Sequence, residues 1–336
     1  MAKIRIHGCG GAGIKISNDL LKSISSMGII SEVTRHSFDT TTATDPNAYL
    51  VKMQSIATGA RIDGSGGEAS THAAAIKLAV KEYLTDMGMI APVKDEYHII
   101  CYSASGGTGR TISPLLSAQM LALGIPHINV VVGDSGDQLK NSNTIKTIKS
   151  LDGISKINNK CVNVVYINNN SVSAADIKHK EIAVNKILAN TLCAISLIIN
   201  GGEDLDNQDI NNFLIPTNYK SINIPIGVYT ILVGSGETTM VAPANTSFVL
   251  ARTITTDKAG TINADLLHQK VGKVSNNSPA AAIFGEQFPV HMVSVANYMV
   301  AELKSLNEID KKYEESINNI KTQALAGETD SDGLVF

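Results

Sequence analysis

Hydrophobic and polar residues follow two alternating rhythms along the first two-thirds of the chain. Short apolar runs at Lys3–His7, Val33–Phe38, Tyr97–Tyr102, His127–Val132 and Val162–Ile167 have the length and β-branched content of strands. Between them, stretches near 11–28, 66–87, 109–123 and 142–151 repeat apolar residues at helical spacing. Strands separated by helices of this length imply right-handed crossovers and a parallel sheet covered on both faces. The runs 98–102 and 128–132 are too continuously apolar for a half-exposed strand and are expected at the sheet's centre.

The rhythm then changes twice. Over 173–199 apolar residues occupy nearly every helical face, which predicts a buried central helix, and Asn200-Gly201-Gly202 stops it. After about residue 220, Gly227–Gly234, Thr246–Thr255 and Ala280–Phe284 have strand character and predict a second sheet with fewer helices. The stretch 291–323, free of Pro and Gly, reads as one long helix. Its narrow stripe of Met299, Leu303, Leu306, Asp310, Tyr313, Ile317 and Ile320 is expected to pack across the helix's own subunit, with a seam to another helix as the alternative. Gly327 to Phe336 form an acidic tail with an apolar tip, either solvent-exposed chain or a docking peptide.

Composition narrows the function classes. The chain has 336 residues, 43% hydrophobic and 18% charged, enough for a sizeable core and inconsistent with wholesale disorder. Its formal net charge of −3, with no basic block, argues against direct nucleic-acid binding through phosphate contacts. No run reaches the roughly 18 apolar residues of a membrane span, and the first residues lack the apolar stretch of a secretory signal. A cytoplasmic protein without membrane insertion is therefore expected. Cys9, Cys101, Cys161 and Cys193 form no CxxC pair and read as buried thiols rather than a disulfide framework or zinc site.

Chemistry concentrates in loops that follow the strands. Gly8-Cys9-Gly10-Gly11-Ala12-Gly13 satisfies GxGxxG between a strand and a helix, where backbone N–H groups can approach phosphates. Ser103-Ala104-Ser105-Gly106-Gly107-Thr108-Gly109 follows another strand, with small residues and the Thr108 hydroxyl ahead of a helix N-terminus. It lacks the lysine of GxxxxGK[ST], so it is not a Walker-type loop. Small residues recur over 57–67 before a further helix. Loops at the carboxyl edge of one parallel sheet share a ligand crevice, and three of them suggest a polyphosphate held on several sides. In Glu203-Asp204-Leu205-Asp206-Asn207-Gln208-Asp209, Asp206 and Asp209 lie three apart at a helix start, so both carboxylates can point the same way; acids capping a first turn are the alternative.

This ordered set resembles the tubulin/FtsZ superfamily of GTP-hydrolysing filament proteins. Ser105-Gly106-Gly107-Thr108-Gly109 is similar to the family's GGGTG(S/T)G phosphate loop, Gly8–Gly13 to its first glycine-rich loop, and 204–209 to its NxDxxD synergy loop after the central helix. Ser105 stands for the first signature glycine, Arg110-Thr111 for a small residue and glycine, and Asp204 for the usual Asn. The long terminal helix and short acidic tail look more like the phage- and plasmid-encoded branch than cell-division FtsZ.

The resemblance implies an α/β fold: a Rossmann-like parallel-sheet GTPase domain (1–172), the central helix and synergy loop (173–214), a smaller α+β second domain (215–290), a C-terminal helix (291–324) and a tail (325–336). It further implies that Gly10, Gly11, Ala12, Ser105, Gly106, Gly107, Thr108 and Gly109 cradle the phosphates of GTP or GDP, with Mg²⁺ held through those phosphates. Asn185 and Asn168 or Asn169 are the expected guanine contacts, Asp137 the ribose contact. Asp206 and Asp209 of the next subunit would orient water, so that a head-to-tail homopolymer becomes a GTPase on polymerisation, with an adaptor or cargo protein as a further partner. Two other readings remain open at this point. One is an NAD(P)-dependent oxidoreductase using Gly8–Gly13 with Glu32 or Asp39 as the ribose acid. The other is a nucleotide-binding scaffold that hydrolyses poorly.

Overall fold

A computed structural model describes residues 3–26, 32–54, 61–62, 72–173, 176–199, 226–233, 240–241, 246–256, 262–272, 282–284, 290–295 and 298–328. Its centre is a ten-stranded sheet. Seven strands run parallel: β1 (Lys3–Cys9), β2 (Glu32–Asp39), β3 (Tyr49–Leu50), β6 (Glu96–Ser103), β7 (His127–Gly133), β8 (Val162–Asn168) and β9 (Ile226–Val233). Antiparallel pairing adds β11 (Thr246–Thr256), β12 (Ile262–Gly272) and β14 (Val290–Val295), for the order β12-β11-β14-β9-β8-β7-β6-β1-β2-β3. Two short antiparallel pairs stand apart: β4 (Met53–Gln54) with β5 (Arg61–Ile62), and β10 (Met240–Val241) with β13 (Ala282–Phe284).

The helices are α1 (Gly10–Ser26), α2 (Ala73–Asp86), α3 (Gly109–Leu123), α4 (Gln138–Asn158), α5 (Ile177–Ile199) and α6 (Tyr298–Glu328). Strand residues of alternate parity serve two layers. Cys9, Ile100, Tyr102, Val131 and Val164 join the core built with α2, α3, α4 and α6. Ile4, Ile6, Ile99, Cys101, Val130 and Val165, of opposite parity, are buried as well, on the side where α1 crosses β1 and β6 and α5 crosses β8. Burial on both faces is why 98–102 and 128–132 are continuously apolar. In α5, Val184, Leu188 and Leu192 are buried while Ile182 and Ile187 reach the surface.

Several expectations need adjusting. The strands beyond residue 225 extend the first sheet, because Val162–Val164 pair with Ile226–Val228, so no separate second sheet forms from β9, β11 and β14. The terminal helix begins at Tyr298 and not near 291: Val-His-Met-Val-Ser-Val at 290–295 is β-branched and pairs with β9. Helix α4 exceeds its predicted 142–151 at both ends, because Asp137 caps it and Asn159 closes it in a left-handed conformation. Cys9, Cys101 and Cys161 are buried and free, as read from spacing; the Cys193 side chain lies outside the described residues.

The first half of the α6 stripe packs on its own subunit, whereas Ile317 is exposed and the Ile320 side chain lies outside the described residues. Met299 and Leu306 are buried, and the α4 residue Asn141 donates from Nδ2 to Leu306 O at 3.0 Å and to Asp310 Oδ1 at 3.3 Å. Further along, the Tyr313 hydroxyl donates to Ser135 O at 3.0 Å. From the amino ends of β6 and β7 to the middle of β1 runs a buried polar belt. His7 bridges the Tyr83 hydroxyl (2.7 Å) and His98 (3.1 Å), Arg5 meets Glu96 at 3.0 Å, and His127 meets Ser117 at 2.8 Å.

Candidate nucleotide site

Strand order assembles the site at the opposite, carboxyl edge. Because β1 is flanked by β6 on one side and β2 on the other, the loops after β1, β6 and β2 meet there. The two glycine loops touch so closely that side chains are excluded. Gly10 has φ +69°, and a Cβ on it would come 2.7 Å from Gly109 N; one on Gly109 would come 2.6 Å from Cys9 O. Helices α1 and α3 begin in these loops, so the positive dipole ends of two helices converge on one cavity of about 230 Å³, and the amino end of α3 carries no side-chain cap. Gly10, Gly11, Ala12, Gly106, Gly107, Thr108 and Gly109 all line it, while Ser105 lines the neighbouring cleft.

The second loop is braced from behind. Asn143 Nδ2 donates to Ser105 O (3.1 Å), Thr147 Oγ1 to Ala104 O (2.9 Å) and the Ala104 amide to Val132 O (2.8 Å). Ser105, which replaces a signature glycine, has its hydroxyl paired with Ser103 Oγ at 3.0 Å. The extra side chain is thus satisfied within the loop and leaves the cavity open.

Sequence reasoning assigned no phosphate role to the end of β2, yet Asp39, Thr40, Thr41 and Thr44 form a wall of the same cavity. The Asp39 side chain is buried: Oδ1 accepts from the Thr40 amide at 2.7 Å, and Oδ2 has no hydrogen-bond partner. Burial holds its carboxyl above the usual range despite the bonds from neighbouring amides and hydroxyls. Thr40 Oγ1 and Thr108 Oγ1 lie 2.8 Å apart and tie this wall to the phosphate loop. An acid at the end of a strand was visible in the sequence; only pairing of β2 with β1 brings it here. Glu32, the other candidate ribose acid, begins β2 at the far edge and pairs with Lys3 at 2.6 Å.

A second cleft of about 440 Å³ adjoins the first, with Ala12 and Ser103 common to both. It opens between α1 and α5, and Ser105, Asn169 and Asn185 line it. Asp134 is the hub of its polar wall. It accepts from the Gly136 amide (2.8 Å), Asn170 Nδ2 (3.2 Å) and Asn169 Nδ2 (3.3 Å), with Lys140 Nζ at 3.7 Å. These bonds lash the loop after β7 to the turn after β8, a relation no local pattern could reveal.

Two expected contacts fall elsewhere. Asp137 does not line either cavity: its Oδ1 caps α4 by accepting from Lys140 N at 2.8 Å, and that bond, followed by the Lys140 ammonium, holds its carboxyl below the usual range. Asn168 is turned away from the cleft, with Nδ2 bonded to Glu302 on α6 at 2.9 Å and Oδ1 accepting from Asn170 N at 3.0 Å. Of the adjacent pair, Asn169 is the one on the cleft. Asp206, Asp209, Asp204 and most of the 57–67 loop lie outside the described residues; within the last, Arg61 and Ile62 are strand. Among the described residues no group of three or more His, Cys, Asp or Glu could hold a metal ion, and no helix is long and apolar enough to cross a membrane.

Two glycine loops thus meet at the carboxyl edge of a parallel sheet that continues into antiparallel strands. No family model matches the chain. A phage tubulin-like protein of Pseudomonas phage 201phi2-1 is 27% identical over 133 residues, 39% of this chain and 40% of that protein. The TubZ protofilament structure from bacteriophage PhiKZ superposes with a TM-score of 0.67 at 18% identity, over 95% of this chain and 93% of TubZ. The GDP complex of the phage tubulin PhuZ gives 0.66 at 17%, over 95% and 93%. The chain therefore has the tubulin/FtsZ fold and resembles its phage branch.

Proposed function

We propose that this chain binds GTP or GDP across the two joined cavities and polymerises head-to-tail into a filament whose subunit contact completes a GTPase. The observation that carries the reading is the meeting of two glycine loops and two helix N-termini at one sheet edge, beside a cleft large enough for a nucleoside. Backbone amides of Gly10, Gly11, Gly106, Gly107 and Gly109 hold the phosphates, and the Thr40 and Thr108 hydroxyls position them. The base enters between α1 and α5 against Asn185 and Asn169. The ribose lies toward the 134–137 loop.

The residues present fit Mg²⁺, because the unsatisfied, buried Asp39 Oδ2 is the kind of oxygen a cation stabilises. Bound with the phosphates, Mg²⁺ would supply charge neutralisation. Asp39 and Thr40 would hold it. Asp206 and Asp209 of a second copy orient and polarise the attacking water, a contribution chiefly of positioning. The contact is heterologous and repeats into a filament. The likeness to phage proteins supports a role in positioning phage or plasmid DNA or particles in the cytoplasm, through an adaptor or cargo protein.

Light scattering and phosphate release, followed together after GTP addition, test the reading. Scattering and phosphate release should rise together, while Asp209→Ala should bind GTP, form over-stable filaments and release no phosphate. Wild-type protein that neither scatters nor releases phosphate would refute the proposal, and scattering without release would reduce it to a scaffold.

A further inference from the structure

The cleft between α1 and α5 contains a pairing that no motif accounts for. Asn185, half-buried on α5 and lining the cleft, donates from Nδ2 to Asp19 Oδ2 on α1 at 3.0 Å. Asp19 does not line the cleft; it sits one helical turn beyond the lining residue Lys15. We propose that Asp19 is a positioning residue that sets base selectivity by holding the Asn185 amide in one orientation. The inference rests on the reading that a guanine nucleotide occupies this cleft.

The chemistry is one of donors and acceptors. An Asn side chain has an NH₂ edge and an oxygen edge of nearly identical shape, so an unrestrained amide can present either. An ionised carboxylate only accepts, so Asp19 pairs with the NH₂ edge alone. That leaves Asn185 Oδ1, an acceptor, as the edge available to a base. Guanine offers donors on its Watson–Crick edge, the N1–H and the 2-amino group. Adenine has an acceptor at N1 and nothing at C2 to donate; xanthine has a carbonyl oxygen where guanine has the amino group. Adenine therefore sets lone pair against lone pair at N1, whereas xanthine keeps the N1–H but loses the 2-amino donor and puts a carbonyl oxygen against Asn185 Oδ1 in its place. A site built to receive hydrogen bonds discriminates against both. Nothing else about Asp19 need touch the nucleotide. The remaining charges facing the cleft near Asn185 are Lys15 on α1 and Lys180 and Glu181 on α5. Lys180 Nζ is directed to Asn170 Oδ1 at 3.2 Å, away from the amide.

The test is competition for a fluorescent GTP analogue by GTP, xanthosine triphosphate and ATP, measured on the full chain and on Asp19→Ala and Asp19→Asn. Freed from the carboxylate, the Asn185 amide can turn its NH₂ toward the base. The preference for GTP over xanthosine triphosphate should then narrow by about tenfold in Asp19→Ala, the scale of one charge-assisted hydrogen bond, and by less in Asp19→Asn, whose amide oxygen still accepts from Asn185 but no longer excludes the flipped orientation. A variant merely loosened in structure would lose all three nucleotides in parallel. Adding Asp19→Ala to Asn185→Ala should leave the ratio where Asn185→Ala alone sets it, because the two act through one contact. An unchanged ratio in both Asp19 variants, with wild type still selective, overturns the role of Asp19 and leaves the guanine reading standing. Wild-type protein that does not prefer GTP overturns the guanine reading itself.

Discussion

Replacing Gly10 with alanine probes the closest approach in the phosphate cradle, and its cost can be assembled from separate parts. The first is conformational: φ is +69° at Gly10, and an L-residue held in the left-handed region costs about 1 kcal/mol relative to glycine. The second is steric. The new Cβ would lie 2.7 Å from Gly109 N, where ordinary contact begins at 3.4 Å, so the two loops must part by about 0.7 Å. Both partners are backbone held by helix starts, and overpacking of this kind costs about 1–3 kcal/mol. Gly10→Ala should therefore lose roughly 2–4 kcal/mol in chemical denaturation. Nucleotide affinity should fall with it, because the parted loops no longer close on one anion.

Two other glycines separate the parts. Gly88 has φ +68° with nothing within 4 Å, so Gly88→Ala reports the conformational part alone. Gly153 lies inside α4 with open space around it, so Gly153→Ala should stabilise by about 0.5–1 kcal/mol. Equal losses for Gly10→Ala and Gly88→Ala, with GTP affinity unchanged, would refute the argument that the two loops meet.

The buried histidines predict acid sensitivity. Burial, followed by nearby positive charge, pushes His98 down to about 3, and burial pushes His127 down to about 4. Below the ordinary histidine pKa the unfolded chain takes up protons that the native chain refuses, so stability falls as pH drops through 6.5 and keeps falling toward those lower values. Between pH 7 and pH 5 each should cost about 2 kcal/mol. Denaturation at both pH values checks this, and equal stability would refute it; His98→Gln/His127→Gln should shrink the dependence and leave the part due to His7, which burial likewise pushes down. Asn141→Ala removes the donor to Leu306 O and Asp310 and should cost about 1–3 kcal/mol, with faster amide exchange concentrated in α6. Uniform exchange would place the docking of that helix elsewhere. Deleting residues 327–336 should weaken filament assembly if the tail docks on a neighbouring subunit, with unchanged scattering counting against that contact.

Much of the fold was legible because parallel strands buried on both faces need continuous apolar runs, and such runs stand out. The central runs 98–102 and 128–132 fall inside β6 and β7 for that reason. The 291–295 stretch misled because it has neither Pro nor Gly, while its β-branched residues satisfy a strand once β9 is present to pair with. At the site, the glycine loops were legible and the β2 wall was not. Asp39 and Thr40 carry no motif, and their place depends on β2 pairing with β1 and on the phosphate-type loop that holds Thr108, 68 residues from Thr40 in sequence. Asn168 and Asn169 were indistinguishable as neighbours in sequence; Glu302, reaching from α6, takes the first and leaves the second to the cleft.

What the amino-acid sequence determined alone was local. It set where strands give way to helices, where a chain without side chains can approach an anion, and which residues have the chemistry to bind one. What only tertiary structure decided was adjacency: β1 between β6 and β2, α6 against α4, Asp19 beside Asn185. The reason is physical. A hydrophobic run declares that a strand will be buried but not beside which other strand, since that choice is made by long-range packing and loop closure and leaves no periodic trace in the chain.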